Sequence, residues 1–438
     1  MTTPEPEAVA SATANTHPAD HRDHGRDPAG DRAPRGYMLL YAFAMFGVCL
    51  ALLTPALVGL ALKAREIAGS DGQAAALGLV AGVGAFFALV ANPVVGRLSD
   101  RTTSRWGQRR PWIIGGVLVG LVALVIVGTA TSIAVLLIGW SLAQVGFNAT
   151  LSAMSATIPD QVPEARRGTV SGVASIASPI AILLGIAAYN VLPFGVIVFA
   201  APGVVAVVLA AVFALTLRDR RITRAEAPAV RVRDLFTSLV FNPRKHPDFG
   251  WVWANRFLMF FAYMGTGTYL TYFVIDRFNQ TEEQVTGVLL ISNLCGTGGM
   301  ILASLLGGFL SDRFHRRRPF VTIAGLVMVV GLVAVSLADS FAVLYAGQLI
   351  MGAGFGAYLA VDLALATLVL PSPDDHAKDL GVLNIAQALP QSIAPAIAPA
   401  IIAIGMSTSL GGYAVWYLFG AALAVIGAFL IYKVKAVR

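Results

Sequence analysis

Charge is scarce in this sequence. Asp, Glu, Lys and Arg make up 13% of its 438 residues, against about 25% in soluble domains, and hydrophobic residues reach 57%. This balance excludes a large soluble domain and is typical of a protein embedded in a membrane. The basic residues behind the net charge of +7 come in short bursts between apolar segments, so we also exclude nucleic-acid binding.

Reactive groups are scarce as well. The two cysteines, Cys49 and Cys295, lie far apart in apolar segments, which excludes a disulfide framework and a metal-ligand spacing. No segment fits the nucleotide-binding pattern G-x-x-x-x-G-K-[ST], and no group of residues fits an activated nucleophile. We therefore expect a protein that is not an enzyme and that uses no cofactor and no metal.

What the sequence contains is a series of apolar runs, each long enough to cross a hydrocarbon core of roughly 30 Å. They predict an all-α integral membrane protein with twelve transmembrane helices. The predicted spans are 38–62, 76–98, 112–131, 133–157, 169–190, 195–217, 250–275, 283–310, 319–338, 341–370, 380–404 and 411–434.

Basic residues predict the orientation of these spans. The tail, the C-terminus and the connections on their side of the membrane hold 27 Lys and Arg residues, whereas the other side holds only Lys63, Arg65 and Arg277. Because basic loops stay in the cytoplasm, both termini are predicted to be cytoplasmic in the cell membrane. Residues 1–36, polar and without periodicity, are predicted to form a disordered cytoplasmic tail.

The second half of the chain repeats the first. Gly96, followed four residues later by Asp100, recurs as Gly308 followed by Asp312, an offset of 212 residues. Pro159 recurs as Pro371 at the same offset. We predict two six-helix pseudo-repeats, with bundles at 37–217 and 250–438 joined by a cytoplasmic linker at 218–249, a plan in which two halves rock about a midplane site.

The strongest local motif follows the second span and runs Gly96-Arg-Leu-Ser-Asp100-Arg101-Thr-Thr-Ser-Arg105-Trp-Gly107-Gln-Arg109-Arg110-Pro111-Trp112. A carboxylate one turn after a glycine can pair with an arginine or a helix N-terminus and so latch one conformation. The alternative is a basic loop that only sets orientation. The latch hypothesis assigns gating to Gly96, Asp100, Arg101, Arg105, Arg109, Arg110, Asp160, Glu164, Arg167, Gly308, Asp312 and Arg313.

This motif resembles the signature of the major facilitator superfamily, and its Ser-Asp-Arg and Ser-Arg-x-Gly-x-Arg-Arg-Pro form is most similar to sucrose/proton symporters and the wider glycoside–pentoside–hexuronide:cation symporters. Asp160, Pro163, Glu164 and Arg167-Gly168 resemble the second cytoplasmic motif of such carriers. The resemblance implies the major facilitator fold and a proton-coupled sugar or glycoside carrier that works by alternating access.

Two features depart from those relatives. The span 38–62 contains no Asp or Glu, although the sodium-coupled members keep acids there. The span 133–157 contains no arginine, although sucrose symporters use one there for substrate. The first departure argues against sodium coupling, and the second favours some sugar over sucrose in particular.

Asp362 is the acid predicted to lie deepest in the membrane. It precedes Pro371 by nine residues, which places it roughly 13 Å inside at a rise of about 1.5 Å per residue. A carboxylate at that depth is costly and therefore functional or paired. We predict that Asp362 carries a coupling proton; the alternative is a structural hydrogen bond to a neighbouring helix.

Uncharged polar residues at similar depth suit a hydroxylated solute, because amides satisfy both donors and acceptors and aromatic faces stack on sugars. Two stripes recur at helical spacing, one on the fourth span and one on the eleventh. For each residue, hydrogen bonding between helices is the alternative to ligand contact. The binding candidates are Trp140, Gln144, Asn148, Tyr263, Tyr269, Asn293, Tyr358, Asn384, Gln387, Gln391 and Arg256.

Arg256 has two interpretations: it reaches the membrane interface, or it pairs with Asp362 or a substrate. The whole chain favours a monomeric transporter of a sugar-like solute and protons. Its rivals are a proton-coupled drug or metabolite exporter and, from another class, a membrane sensor that transports nothing.

The predicted orientation can be tested with reporter fusions. A fluorescent protein that folds only in the cytoplasm should fluoresce when fused to either terminus or inserted at 218–249, because these segments lie on the side of the membrane that holds most of the Lys and Arg residues. Insertion at 63–75 is the control and should stay dark. A dark fusion at either terminus would contradict the twelve-span topology.

Overall fold

The computed structural model describes residues 36–223, 245–314, 317–367, 369 and 376–434. Within these ranges, side chains are described except at 164–165, 308–314, 317, 363–364, 366–367 and 376–380. The predicted tail, most of the predicted linker, and the side chains of Glu164, Asp312 and Arg313, together with the surroundings of Gly308, therefore lie outside the described residues.

The described residues form thirteen α-helices. They are α1 Tyr37–Thr54, α2 Leu60–Asp100, α3 Arg110–Thr129, α4 Ile133–Gln161, α5 Glu164–Ala188, α6 Val196–Thr216, α7 Pro247–Thr268, α8 Leu270–Phe278, α9 Glu282–Phe314, α10 Arg317–Ser336, α11 Phe341–Thr367, α12 His376–Met406 and α13 Gly412–Leu430. A π-helical turn, Pro55–Gly59, joins α1 to α2.

The first two predicted spans are continuous in the structure rather than separated by a loop. The helical run Tyr37–Asp100 has 64 residues and would measure about 96 Å if straight, three times the thickness of a hydrocarbon core. Gly69 interrupts it, with φ 68° and ψ −179°, a backbone conformation that favours glycine. The run therefore comprises two crossings, joined by helical turns where a loop was predicted.

The seventh predicted span is also not continuous. It consists of α7 and α8, which meet at Tyr269 with a bend of 52°. Ten helical runs in the described residues are long and apolar enough to cross a membrane, and the bent pair makes eleven. Counting Tyr37–Asp100 as two crossings gives twelve, in agreement with the predicted all-α membrane fold.

The packing of the helices repeats in the two halves. In the first half, α1 packs on α5 and α6, and α4 packs on α2 and α3, while α3 also packs on α6. In the second half, α7 packs on α12 and α13, and α11 packs on α9 and α10, while α10 also packs on α13. Each helix has its counterpart six crossings later, so the duplication predicted from the sequence is confirmed as a structural repeat.

The two halves meet along two pairs of helices, α2 with α12 and α5 with α9. We call the end of the bundle that holds residues 101–109 the loop end, and the opposite end the far end. Hydrogen bonds join the halves at the far end: Tyr272 Oη to Ala61 O (2.7 Å), Thr271 Oγ1 to Leu57 O (3.2 Å), Gln73 Nε2 to Tyr413 Oη (3.3 Å) and Thr286 Oγ1 to Asn190 Oδ1 (2.7 Å). Arg65 adds an ion pair to Glu282 at 3.4 Å.

Glycines let α11 approach its neighbours closely. A Cβ at Gly352 would overlap the backbone of Gly296 on α9, and one at Gly354 would overlap the backbone of Met328 on α10. Helices in lipid gain association energy from such close packing, because there is little hydrophobic driving force between them. α11 is thus held on two sides, which fixes the position of the polar residues it carries.

We expect Gly352→Ala to lower the thermal unfolding midpoint of the purified protein, because overpacking costs about 1–3 kcal/mol. Gly115→Ala is the matched control: no atom lies within 4 Å of the position its Cβ would take, and alanine is the better helix former. A midpoint for Gly352→Ala equal to or above that of the unsubstituted protein would contradict the packing described here.

Candidate functional site

A buried ion pair links α7 to α11. Asp362, only 2% exposed, accepts a hydrogen bond from Arg256 Nη1 at one carboxylate oxygen. Tyr358, one turn earlier on α11, donates to the other oxygen at 2.7 Å. Each oxygen of the carboxylate therefore has a donor, which is the condition for keeping an ionised acid in a low-dielectric interior.

Arg256 extends this cluster to a third helix. Its Nη2 donates to Gln387 Oε1 on α12 at 2.9 Å, and its guanidinium carbon lies 5.3 Å from the centroid of the Phe260 ring. Arg256 pairs with Asp362 and does not extend to the membrane interface, which decides between the two interpretations of this residue. Its Nε is buried without a hydrogen-bond partner in the described structure, so the guanidinium is incompletely satisfied.

Asn255 is a member of the cluster that sequence analysis did not select. Its Oδ1 lies 3.2 Å from Tyr358 Oη, and its Nδ2 donates to the Gly427 carbonyl on α13 at 2.8 Å. Asn255 Oδ1 is thus a second acceptor within reach of the hydroxyl proton that Tyr358 donates to Asp362. Its position next to Arg256 was a signal, but one amide in an apolar span does not reveal its partner.

A cavity of about 620 Å³ lies beside the cluster, between α2, α4 and α12. Gln387 belongs to both, because it accepts from Arg256 and also lines the cavity. The volume is in the range of small-molecule sites. The described lining contains no ionisable and no aromatic side chain: Ala85, Ala88, Leu89, Val90, Asn92, Pro93, Val94, Asn148, Gly381, Asn384, Ile385, Gln387, Ala388 and Gln391.

The cavity brings together residues from both predicted polar stripes. Asn384, Gln387 and Gln391 line it from α12, and Asn148 lines it from α4. Gln144 lies one turn from Asn148 and accepts a hydrogen bond from its Nδ2 at 3.0 Å.

One further amide, Asn92 on α2, was missed. It stands four residues before Gly96 in an otherwise apolar segment, and this position was the available signal. Its backbone carbonyl accepts from Ser152 Oγ at 2.8 Å, which ties α2 to α4 at the cavity wall.

The other predicted binding residues lie elsewhere. Trp140 is buried against Gly84, Asn293 donates to the Leu289 carbonyl of its own helix at 2.9 Å, and Tyr263 stacks on Phe355 at 3.9 Å between centroids. Tyr269 donates to the Pro395 carbonyl at 3.0 Å near the far end. Tyr358 is in the Asp362 cluster. These residues therefore make contacts between helices or within one helix, which was the alternative to binding a ligand.

Arg109 organises the loop end. Its Nη1 contacts Asp100 Oδ1 and Ser99 Oγ at 2.5 and 2.6 Å, and its Nε donates to Asp160 Oδ2 at 3.1 Å. One guanidinium thus joins α2 to the end of α4. Gly96 also lies close to α4, since a Cβ there would be 3.0 Å from Ser152 Oγ.

Asp219 is the residue of this region that the motif did not reveal. Its Oδ2 accepts the backbone N–H groups of Arg109 and Arg110, both at 2.8 Å, at the start of α3. A carboxylate at a helix N-terminus is favourable because it satisfies free N–H groups and opposes the helix dipole. Gly107, at φ 107°, leaves the space that Asp219 occupies.

Among the remaining predicted gating residues, two arginines donate to backbone carbonyls and two are exposed. Arg110 donates to the Leu217 carbonyl, and Arg167 donates to the carbonyls of Val162 and Pro159 at 3.1 and 3.2 Å. Arg101 and Arg105 are exposed.

Taken together, the structure is that of a polytopic helical membrane protein with two equivalent six-helix halves and, where they meet, a cavity whose largely apolar lining carries five amide side chains. The family model of the Major Facilitator Superfamily matches residues 38–302 and 283–437. The chain belongs to this superfamily of membrane transporters, as the signature motif predicted.

Three similar proteins illustrate the relationship. Over 45 residues the chain is 49% identical to an uncharacterized symporter of Synechocystis and 44% identical to a sucrose transport protein of Oryza sativa, and each match covers 10% of this chain and 8% of the relative. The crystal structure of a nucleoside transporter superposes with a TM-score of 0.72 at 14% identity, over 92% of this chain and 100% of the other. Each of the two sequence matches covers 45 residues, and the structural match concerns the fold alone.

We expect Arg109→Gln to lower the thermal unfolding midpoint, because it removes charge-assisted hydrogen bonds worth about 1–3 kcal/mol and leaves Asp100 and Asp160 side by side without their shared cation. Arg105→Gln, at an exposed position of the same loop, is the control and should leave the midpoint unchanged. Equal midpoints for the two variants would show that Arg109 does not hold α2 to α4.

Proposed function

We propose that this protein is a secondary active transporter that couples proton movement to symport of a sugar or glycoside by alternating access. The observation that carries the proposal is the contact of Gln387 with both a buried Arg256–Asp362 pair and an amide-lined cavity. The proposed solute site is thereby connected, through Gln387 and Arg256, to Asp362, the group that can bind a proton.

The lining of the cavity favours a neutral, hydroxylated solute. Five amide side chains offer both donors and acceptors, which match the hydroxyl groups of a sugar. A pocket for lipophilic cations would benefit from aromatic faces and a carboxylate, and the described lining has neither, so the exporter alternative receives less support. The local similarity to a sucrose transport protein points the same way.

Protons suit the buried pair better than sodium ions. Na⁺ would need several oxygen ligands, whereas Asp362 is already engaged by a guanidinium and a phenol. A proton needs only one carboxylate oxygen. When it binds, Asp362 becomes neutral and its attraction for Arg256 falls, which changes the balance between arrangements of the helices that carry the two residues.

The positions of the contacts between the halves support alternating access. The far end is tied by hydrogen bonds across the halves, and the cavity is lined by the parts of α2 and α12 nearer the loop end. With the loop end and both termini in the cytoplasm of a cell-membrane protein, this is an inward-facing arrangement. In the outward-facing one, we propose that Asp100 and Arg101 and their second-half counterparts Asp312 and Arg313 form gating contacts across the halves, together with Arg109.

The test is uptake by proteoliposomes of labelled sucrose, maltose, lactose, glucose and xylose, with and without an imposed pH gradient. We expect Asp362→Asn to abolish accumulation against the concentration gradient and to leave exchange measurable, because asparagine still accepts from Arg256 but binds no coupling proton. Asp71→Asn, at an exposed acid, is the control and should accumulate normally.

Two outcomes would overturn the proposal. Accumulation by Asp362→Asn in response to a pH difference would remove Asp362 as the coupling site. Absence of any sugar uptake by the unsubstituted protein would overturn the substrate class, and absence of transport of every solute would favour the sensor alternative.

A further inference from the structure

We infer that Arg256 is a positioning residue that orients the Gln387 amide, so that its NH₂ group faces the cavity, and that the protonation of Asp362 moves Arg256 and this amide together. The inference rests on the proposed function, because it concerns how the coupling site acts on the solute site. Arg256 itself is 7% exposed and is not part of the cavity lining.

The first step is the orientation of the Gln387 amide. A guanidinium has only donors, so the atom that faces Arg256 Nη2 at 2.9 Å must be the carbonyl oxygen, Oε1. The NH₂ group of Gln387 is therefore left for the cavity and offers two donors there. Without Arg256 the amide could turn over and present its oxygen instead.

The wall of the cavity that α4 forms offers a hydrogen-bond acceptor rather than a donor. Asn148 Nδ2 donates to the Gln144 carbonyl at 2.8 Å and to Gln144 Oε1 at 3.0 Å. A carbonyl oxygen accepts only, so Asn148 cannot turn over, and its Oδ1 is the atom left as an acceptor for the cavity. The cavity thus has a donor on α12 and an acceptor on α4. A solute with two hydroxyl groups, one accepting and one donating, meets both requirements.

The second step is the dependence on Asp362. Within the described residues, the titratable groups that contact its carboxylate are Arg256 of α7 and Tyr358 of α11. A proton on the carboxylate removes the only counter-ion of Arg256 among these contacts. A buried cation without a partner is costly, and Arg256 already has one unsatisfied N–H group. The neutral acid still accepts a hydrogen bond but no longer offsets the charge of Arg256, so the balance between its two acceptors changes in favour of Gln387 Oε1, and the guanidinium shifts towards α12 and moves the amide.

This displacement gives protonation a direct effect on the solute. With Asp362 ionised, the Gln387 donors are held in one orientation. With Asp362 neutral, Arg256 moves with Gln387, and the Gln387 NH₂ donors approach the hydroxyl groups of the solute. Proton binding then raises solute affinity, and solute binding raises proton affinity by the same factor, which is the linkage that symport requires.

The first experiment needs no solute. The full chain is labelled with ¹⁵N-glutamine in lipid nanodiscs, and the side-chain NH₂ signals of Gln387 and Gln391 are assigned from their loss in Gln387→Met and Gln391→Met. We expect acidification to shift the Gln387 signals, to leave those of Gln391 in place, and to have no effect on Gln387 in Asp362→Asn. Gln387 signals that do not shift, or that shift equally in Asp362→Asn, would overturn the inference.

The second experiment is a double-mutant cycle in counterflow, which needs no pH gradient, and its labelled probe is the sugar of the panel above that the unsubstituted protein takes up fastest. Lys keeps the charge of Arg256 but has no planar fork to contact Asp362 and Gln387 together. Arg256→Lys and Gln387→Met should each raise KM about tenfold or more with a smaller change in maximal rate, and the double variant should resemble the worse single variant. Arg256→Lys with Gln391→Met is the control, in which the effects should add.

The outcomes separate this inference from the proposed function. Additive effects of Arg256→Lys and Gln387→Met, or a loss of maximal rate at unchanged KM, would make Arg256 a structural residue and overturn the inference alone. Accumulation that survives in Asp362→Asn would overturn proton coupling through this acid, and the Gln387 signals would still report whether Arg256 orients the amide.

Discussion

The arrangement of the second half depends on the cost of one buried carboxylate. Asp362 cannot stay ionised at its depth without donors, and Arg256 and Tyr358 supply them from two helices. Breaking a buried pair by removing one partner typically costs about 3–5 kcal/mol. The same pair therefore fixes α7 against α11 and, through Gln387, both of these against α12.

α12 connects this pair to the rest of the molecule. It packs against α7 within its own half and against α2 across the halves, and its polar stripe lines the cavity. Any change in how α12 sits on α7 therefore alters the cavity and the interface between the halves together. A single helix therefore contacts the buried pair, the cavity and the other half of the molecule.

At the loop end, the structure is held by contacts between charged side chains. Several charges lie close together there, outside the apolar core, and their positions are fixed by one arginine and one aspartate. Arg109 joins Asp100 to Asp160, and Asp219 caps the start of α3. These contacts lie within the first half, so the motif is engaged inside one bundle in the conformation described. Charge-assisted bonds are stronger than neutral ones, so they stabilise this arrangement of α2, α3 and α4.

The sequence by itself determined the helices, the duplication and the polar faces. Apolar runs specify membrane helices because the backbone must satisfy its own hydrogen bonds in lipid. The 212-residue offset predicted the repeat, and the spacing of Asn384, Gln387 and Gln391 predicted a shared face. Only the tertiary structure decided which helix faces contact one another. It paired Arg256 with Asp362, 106 residues away, set Asn148 in the same cavity as Gln391, and left Trp140 and Tyr269 in helix packing. Periodicity along one helix defines a direction around its axis, but the neighbour in that direction depends on how all the helices pack.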